Sequence, residues 1–271
     1  MIMGVFVFVP FSVLAVSEEP NDIYYTTGDI QLVDGDFSEC FGIHPGCAVI
    51  YDCAEEEYIV WNRSEIAKRA APCSTIKIYS AINALEQGYI LPAESTIAWN
   101  GTSWPYDAWN ADQDLTSALQ NSVNWYFQGL DISAGTEELQ RFYNQLGYGN
   151  CNIGTDPAWY WNGSSLKISA LEQVEVLKRV MENDYGFQPE NVSAIKEAML
   201  VSSGNGVRLY GKTGSGYADG EYVIGWFIGL VETSDNEYYF AVRLSGNDHA
   251  DGDTAAEIAY SMFEVMGITI R

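Results

Sequence analysis

Three short polar motifs, far apart along the chain, restrict the fold of this sequence more than any other feature. Ser74 and Lys77 lie three residues apart, Ser122 and Asn124 lie two apart, and Lys212-Thr213-Gly214 follows much later. Each motif contains side chains that can donate, accept or move protons. If the motifs form one site, the fold must bring three distant segments to a single cleft, which is a usual place for a ligand.

The first motif lies where a turn runs into a predicted helix. Residues 76–85 carry apolar side chains at mostly three- and four-residue steps, and Gly88 is placed to end the helix. Ser74 would then lie at the helix N-terminus, where unpaired backbone N–H groups favour negative charge. Lys77 lies one turn further on the same face, and a desolvated lysine amine can take a proton from a hydroxyl. We therefore predict Ser74 as a nucleophile and Lys77 as its base.

The other two motifs supply further parts of an acyl transfer. The Ser122 hydroxyl can accept and donate a proton, so it could relay one to a leaving nitrogen. Lys212 and the Thr213 hydroxyl would hold an anionic carboxylate, and the charge of Lys212 would lower the pKa of Lys77. A solvated strand lysine is the alternative interpretation of Lys212.

The glycines beside Lys212, Gly211 and Gly214, indicate a strand that another backbone approaches closely. An oxyanion that develops at the attacked carbonyl needs converging backbone N–H groups. We predict that Ser74 supplies one of these groups and that Ser215, directly after the third motif, supplies the other.

Hydrophobic periodicity predicts strands near both ends of the chain and helices between them. We therefore predict an α/β (α+β) fold, in which an antiparallel sheet is flanked by N- and C-terminal helices and joined by a helical subdomain. Residues 21–45 are turn-rich and acidic and are predicted to be irregular. The predicted strands are 47–51, 58–61, 208–213, 222–231 and 238–244, and the predicted helices are 76–85, 114–121, 122–129, 137–146, 166–181, 191–200 and 254–266.

Length and charge narrow the class of protein. A chain of 271 residues is long enough for one large domain with an ample core, predicted here as residues 21–271. The net charge of −24 argues against nucleic acid and against anionic membrane surfaces as partners. An acidic, solvated surface that confers solubility accounts for this charge.

The first 20 residues form a separate hydrophobic segment. Its apolar, uncharged part, residues 1–16, lacks the basic start of a signal peptide and is short for a membrane span. A truncated signal peptide and the end of a transmembrane helix both fit, and a buried N-terminal helix is the alternative. The first two interpretations place the rest of the chain at the extracellular face of a cell membrane or in a secreted protein.

The five cysteines give no metal-binding pattern, because none forms a C-x-x-C pair or a cluster with the two histidines. We therefore predict no metal site. Cys73, next to Ser74, is expected to be a small buried residue that packs under the helix. A disulfide among Cys40, Cys47 and Cys53 would suit an exported domain, and the sequence leaves it open.

The three motifs, in this order, resemble the penicillin-recognising serine enzymes. The chain is similar to the class D β-lactamases, and more closely to the extracellular penicillin-sensor domain of the BlaR/MecR signal transducers. The resemblance implies a β-lactamase/transpeptidase-like fold and β-lactam antibiotics as ligands. It also implies that Ser165 to Ser169 is structural, so the second S-x-x-K match, Ser164 to Lys167, does not mark a nucleophile. The runs that carry the resemblance are 71–79, 109–113, 121–127, 148–150, 160–162, 165–169, 212–214 and 225–227.

The resemblance implies a particular state of the base and no separate cofactor. In this family the motif lysine, Lys77 here, can take up carbon dioxide as a carbamate, which is held by a tryptophan that matches Trp161. The hydrolases usually carry an apolar residue where this chain, like the sensors, has Asn124. An amide at this position would hydrogen-bond the free amine and compete with the carbamate, so an acyl-enzyme would persist. A helix N-cap is the alternative role for Asn124.

One departure from the hydrolases concerns the ligand carboxylate. Those enzymes carry an arginine before the last helix, and residues 251–256 of this chain offer none. Binding of the carboxylate would then fall on Lys212 and Thr213, and on Arg243 if its side chain faces the cleft.

Two functions follow from the resemblance. The first is a covalent β-lactam receptor, and the second is a class D β-lactamase, with a peptidoglycan D,D-peptidase as a third alternative. A full sensor also carries a membrane zinc-protease domain, whose H-E-x-x-H motif does not occur in these residues. We therefore expect either a detached sensor domain, whose partner is an upstream membrane transducer, or a free-standing protein.

Overall fold

A seven-stranded sheet lies at the centre of the computed structural model, which describes residues 31–161, 165–246 and 249–270. Its strands are β1 (Leu32–Asp34), β2 (Gly46–Asp52), β3 (Glu57–Trp61), β4 (Leu200–Gly204), β5 (Val207–Ala218), β6 (Glu221–Glu232) and β7 (Glu237–Ser245). The order across the sheet is β1-β3-β2-β7-β6-β5-β4, and only the pair β1–β3 is parallel. Because β2 pairs with β7, the two ends of the chain join in one sheet.

Helices cover both faces of this sheet and form the unit that carries two of the three motifs. They are α1 (Ser38–Phe41), α2 (Lys77–Glu86), α3 (Leu115–Gln120), α4 (Asn124–Leu146), α5 (Ala170–Met181), α6 (Pro189–Ala198) and α7 (Gly252–Val265). Helix α7 packs on β6, and α5 packs on β2 and β7. The predicted fold class, an antiparallel sheet with flanking helices and a helical subdomain, is confirmed.

Strand β2 shows why the sheet can be covered on both sides. Successive residues of a strand point to opposite faces. Cys47 and Val49 contact the larger hydrophobic cluster, which also contains residues of α2, α4 and α5. Ala48 and Ile50 contact the smaller cluster under α7. The strand is therefore apolar throughout, and it anchors the sheet between two cores.

The boundaries of two helices differ from those predicted. The helix predicted from residue 166 begins at Ala170, because Ser169 and Glu172 form a capping box there. The helix predicted to end at Gly129 continues as far as Gly135, whose backbone φ of 75° interrupts the helical conformation. Glycine adopts such a φ without the steric cost that other residues carry.

The sheet has two more strands than predicted, one at each edge. The predicted helix 191–200 ends too late, since α6 ends at Ala198 and Leu200 begins β4 by pairing with Tyr210. At the other edge, β1 lies in the stretch predicted to be irregular, as does the short helix α1. A strand of three residues is too short to show an alternating pattern.

The hydrophobic segment 1–20 and its boundary with the predicted domain lie outside the described residues. Within the ranges that the structure describes, no helix is both long enough and apolar enough to cross a membrane. Helix α1, the first helix described, contacts α7.

Candidate active site

Ser74 lies in a tight turn whose neighbouring residues are held by three hydrogen bonds. The turn is a 3-10 helix, Cys73–Ile76, which leads directly into α2. The Cys73 backbone N–H donates to the carbonyl of Trp161 at 3.1 Å, and the φ of Cys73 is 51°. The Thr75 hydroxyl donates to Pro72 at 2.7 Å and accepts from the buried amide of Gln173 at 2.8 Å. Ser74 thus precedes α2 in a 3-10 turn, slightly ahead of the predicted helix start.

The Lys77 amine is the centre of the site. Its side chain is fully buried, and burial lowers its pKa well below the ordinary value, with a further contribution from the charge of Lys212. Four oxygens lie within hydrogen-bonding distance of Nζ: Ser74 Oγ at 3.0 Å, Ser122 O at 2.7 Å, Ser122 Oγ at 2.8 Å and Asn124 Oδ1 at 2.5 Å.

The chemistry of these four oxygens fixes the orientation of a neutral Lys77 amine. Ser122 O and Asn124 Oδ1 can only accept, so they take the two amine hydrogens. The lone pair is then left to accept from a hydroxyl, and the two hydroxyls within reach belong to Ser74 and Ser122. This arrangement is suited to removing a proton from the Ser74 hydroxyl.

Ser122 connects the two lysines of the site. It lies in the turn between α3 and α4, with a backbone φ of 53°. Its hydroxyl lies 2.8 Å from Lys77 Nζ and 3.1 Å from Lys212 Nζ. A hydroxyl held between two amines can receive a proton from one side and release it on the other, as the predicted relay requires.

Asn124 is the first residue of α4, and its side chain does not cap the helix. The N-cap is Val123, which makes no side-chain capping bond. The alternative role of Asn124 as a helix N-cap is therefore wrong, because its amide oxygen accepts from Lys77 instead.

Lys212 is buried with 4% of its surface exposed, so the interpretation as a solvated strand lysine is wrong. Its amine donates to Thr213 O at 2.9 Å. Burial lowers the pKa of Lys212 to about 7, and the carboxylate of Asp253 opposes this shift. Asp253 stands in the first turn of α7, where a carboxylate is favoured by the helix dipole.

The third motif runs directly past the nucleophile. A Cβ atom on Gly214 would lie 3.1 Å from the backbone N of Ser74 and 3.1 Å from Pro72 O. The predicted close approach of another backbone is thus made by the turn that carries Ser74. The Ser215 hydroxyl accepts from the N–H of Gly252 at 2.9 Å, so this side chain holds α7 against β5.

One cavity of about 760 Å³ brings most of the predicted residues together. The lysines and Trp161 are not part of its wall and are themselves buried. Sequence reasoning missed the aromatic side chains at its rim and its acidic residue, because their contribution depends on where the segment before α3, the β5–β6 hairpin and α7 meet. The lining residues are Ser74, Ser122, Asn124, Thr213, Gly214 and Ser215 of the motifs, with Tyr106, Trp109, Asn121, Tyr217, Tyr222 and Asp253.

Trp161 lies behind Lys77, with its ring centre 5.5 Å from Nζ, and only 2% of its surface is exposed. Phe127 covers the amine from another side at 5.9 Å. In the part of the chain that the structure describes, the indole N–H of Trp161 has no hydrogen-bond partner. A buried donor without a partner is costly, so the site offers one unused hydrogen bond beside the base.

Arg243 does not reach the cleft, and the prediction that it could hold a carboxylate there is wrong. Its guanidinium donates to the backbone carbonyls of Glu65 and Lys68 and to the Glu65 carboxylate, and it packs over the ring of Trp226. Its side chain is buried at that site and does not line the cavity, and its Nε, which has no partner among the described residues, is buried there as well.

The cysteines form no disulfide and no metal site among the described residues. All five are free thiols, so the disulfide left open among Cys40, Cys47 and Cys53 is not formed. Cys73 is buried, as expected, and burial raises the pKa of its thiol to about 12. Among residues 31–161, 165–246 and 249–270, no group of three His, Cys, Asp or Glu side chains could hold a metal ion.

The fold and this arrangement of serines and lysines define a serine acyl-transfer domain. The family profile of the penicillin binding protein transpeptidase domain matches residues 46–264, and the chain belongs to this family. It is 40% identical over 259 residues to the regulatory protein BlaR1 of Bacillus licheniformis. The aligned region covers 95% of this chain and 42% of that protein. The chain thus spans about two fifths of the length of this relative.

Two solved structures carry the same fold. The C-terminal domain of the Bacillus licheniformis BlaR penicillin-receptor is 41% identical, with a TM-score of 0.85, over 89% of this chain and 98% of that one. The class D β-lactamase BAT-2 is 27% identical, with a TM-score of 0.82, over 88% of this chain and 98% of that one. The comparisons therefore include both a receptor and a hydrolase.

Proposed function

We propose that this chain is a β-lactam receptor, in which Ser74 is acylated by the antibiotic and the acyl-enzyme is long-lived. The observation that carries the proposal is the bond between Lys77 Nζ and Asn124 Oδ1. It keeps the amine free and directs it towards the two serine hydroxyls. The likeness to the BlaR penicillin-receptor domain supports the same conclusion.

Acylation follows from the groups around the amine. Lys77 Nζ takes the Ser74 proton while the Ser74 oxygen forms a bond to the lactam carbonyl carbon, and backbone N–H groups of Ser74 and Ser215 stabilise the oxyanion. The C–N bond of the lactam breaks as the Ser122 hydroxyl gives its proton to the nitrogen. The Lys77 ammonium then returns a proton to Ser122, so the lysine ends the step neutral.

Deacylation requires a base for water, and the same geometry withholds one. In the acyl-enzyme Ser74 Oγ is part of the ester, so the neutral amine has its hydrogens bound by Ser122 O and Asn124 Oδ1 and its lone pair directed to the Ser122 hydroxyl. Phe127 and Trp161 cover its remaining sides. A water molecule at the ester is therefore not activated, and the ester persists.

A carbamate on Lys77 is the feature that would favour a hydrolase. Its fit can be judged from Trp161, whose unpartnered indole N–H would suit a carbamate oxygen. When bound, the carbamate supplies a carboxylate-like base for both Ser74 and water. Asn124 opposes it, because its oxygen already accepts from Nζ. The second candidate function is thus a class D β-lactamase, favoured by Trp161 and by the likeness to BAT-2.

The proposed receptor acts at the extracellular side of a bacterial membrane, with a membrane transducer as its partner. This part of the proposal follows from the resemblance to the extracellular sensor domain of the BlaR/MecR signal transducers, and the chain covers 42% of the regulatory protein BlaR1.

Intact-protein mass spectrometry with benzylpenicillin tests the proposal. We expect one covalent adduct that persists after the free antibiotic is removed, and little turnover of nitrocefin. Ser74→Ala should lose the adduct, while Ser164→Ala, which alters the second S-x-x-K match, should keep it. Rapid multiple turnover by the native chain would favour the β-lactamase, and the absence of any adduct would overturn both functions.

A further inference from the structure

A buried carboxyl lies beneath the site and has no part in the reaction described above. Asp131 of α4 is fully buried. Its Oδ2 accepts from the Ser80 hydroxyl at 3.0 Å and from the Tyr160 hydroxyl at 3.1 Å. Tyr160 is joined in turn to the Tyr143 hydroxyl at 2.8 Å. Burial raises the pKa of Asp131 to about 7, and the hydrogen bonds from Ser80 and Tyr160 oppose this shift.

Such a group is expensive to keep in a hydrophobic core. Transfer of a carboxyl from water is unfavourable even when it is hydrogen-bonded. In the part of the chain that the structure describes, the second oxygen, Oδ1 of Asp131, has no partner. An apolar residue would fill this position without such a cost, so stability alone does not explain the carboxyl.

The partners of Asp131 connect it to the elements that carry the site. Ser80 lies one helical turn after Lys77 on α2, and Asp131 lies two turns after Asn124 on α4. One carboxyl oxygen therefore joins the helix that carries the base to the helix that carries its amide partner.

The second arm of Asp131 runs to the nucleophile. Tyr160 immediately precedes Trp161, whose carbonyl accepts from the N–H of Cys73, the residue before Ser74. The Tyr160 hydroxyl is thus the fixed end of a short segment that places the Trp161 ring beside the base and also holds the nucleophile turn.

We propose that Asp131 is a positioning residue for acylation, which fixes α2, α4 and the Tyr160–Trp161 segment relative to one another. It acts through Ser80 on Lys77 and through Tyr160 on Trp161 and Ser74. The inference rests on the proposed acylation of Ser74. Displacements of about 1 Å at a reacting group can cost up to about a hundredfold in rate, so loss of this junction should affect the chemical step more than binding.

The test separates the acylation rate from the non-covalent affinity by stopped-flow kinetics with a β-lactam. Asp131→Ala should lower the acylation rate about tenfold or more, with the non-covalent dissociation constant changed by less than about threefold. Asp131→Asn keeps an oxygen that can accept from Ser80 and Tyr160, so it should retain most of the native rate. Leu139→Ala, a buried apolar truncation in the same helix, is the control for lost stability.

Each result decides the inference. A slow Asp131→Ala with a near-native Asp131→Asn supports it, whereas an acylation rate in Asp131→Ala equal to that of the native chain overturns it. Equal loss of rate in Leu139→Ala at matched thermal stability also overturns it. If Asp131→Ala does not fold, Tyr160→Phe removes one arm, and a native rate in that variant overturns the inference. Failure of the native chain to acylate would refute the proposed function instead.

Discussion

Lys77 Nζ and Asn124 Oδ1 lie 2.5 Å apart, and this contact joins the first residue of α2 to the first residue of α4. The oxygen can only accept, so it holds one of the two hydrogens of a neutral amine. The same nitrogen would have to bond to carbon dioxide to form a carbamate. We therefore expect the amide to favour the free amine over the carbamate, and with it acylation over deacylation.

Replacing Asn124 by Val should shift this balance. A hydrogen bond between neutral groups contributes roughly 0.5–1.5 kcal/mol, and about 1.4 kcal/mol corresponds to a factor of ten. We expect Asn124→Val to raise the carbamate fraction by up to about tenfold and to hasten deacylation when bicarbonate is added. Carbon-13 NMR of protein equilibrated with labelled bicarbonate would measure the carbamate, and a chromogenic β-lactam would measure deacylation.

Asn144→Val, on the exposed face of the same helix, is the matched control and should leave both quantities unchanged. The interpretation of Asn124 would be wrong if Asn124→Val formed more carbamate without faster deacylation. It would also be wrong if the native chain already carried a full complement of carbamate.

Lys212 should contribute mainly to acylation. Its buried amine lies 3.1 Å from the Ser122 hydroxyl, and its charge also lowers the pKa of Lys77. Lys212→Ala should therefore slow acylation, and Lys77 should need a higher pH to become neutral. If long-range attraction of the anionic ligand contributes, the difference in acylation rate between the native chain and Lys212→Ala should be smaller at high salt. Acylation rates of native and variant chains at two ionic strengths would measure this, and equal rates would contradict a role in the cleft.

The pH profile of acylation should depend on Asp253. A lysine whose pKa is lowered to about 7 is charged below that pH and loses its charge as the pH rises through it. Binding of an anionic β-lactam to the free protein should therefore weaken between about pH 6 and pH 8. This fall in binding forms the alkaline limb of the pH profile. Asp253 raises the pKa of Lys212, so Asp253→Asn should move the alkaline limb to lower pH.

Asp235→Asn removes the same charge in the turn between β6 and β7 and should leave the limb in place. The ratio of the acylation rate to the dissociation constant, measured across this pH range, would distinguish the variants. A limb that stays fixed, or that moves to higher pH in Asp253→Asn, would show that another group controls it.

The motifs were predictable because their chemistry depends on residues close together in the sequence. The residues that surround them in the cavity were not, because their positions depend on contacts between distant segments. The spacing of Ser74 and Lys77 already places both on one helical face, and the glycine of the third motif indicates that another backbone approaches closely. By contrast, Asp253 contributes because α7 begins against β5, a relationship between segments about forty residues apart. Arg243 was misjudged for the same reason, since no pattern in β7 reveals which layer its side chain enters.

The contact between Gly214 and the nucleophile turn gives the most direct test of the site geometry. A methyl group at this position would lie 3.1 Å from Ser74 N and 3.2 Å from Thr75 Cγ2, so β5 and the turn must separate by a few tenths of an ångström. Oxyanion donors act over a narrow range of about 2.7–3.1 Å. We therefore expect Gly214→Ala to lower the acylation rate about tenfold or more and to cost about 1–3 kcal/mol of stability through overpacking.

Gly204→Ala is the control for Gly214→Ala, because it adds the same methyl group to β4 and meets nothing within 4 Å. It should leave acylation and thermal stability close to native values. The two variants separate a general effect on the sheet from a local effect on Ser74. If Gly214→Ala acylated as fast as Gly204→Ala, the backbone of β5 would not set the position of the oxyanion donors, and the predicted pairing of Ser74 with Ser215 would have to be abandoned.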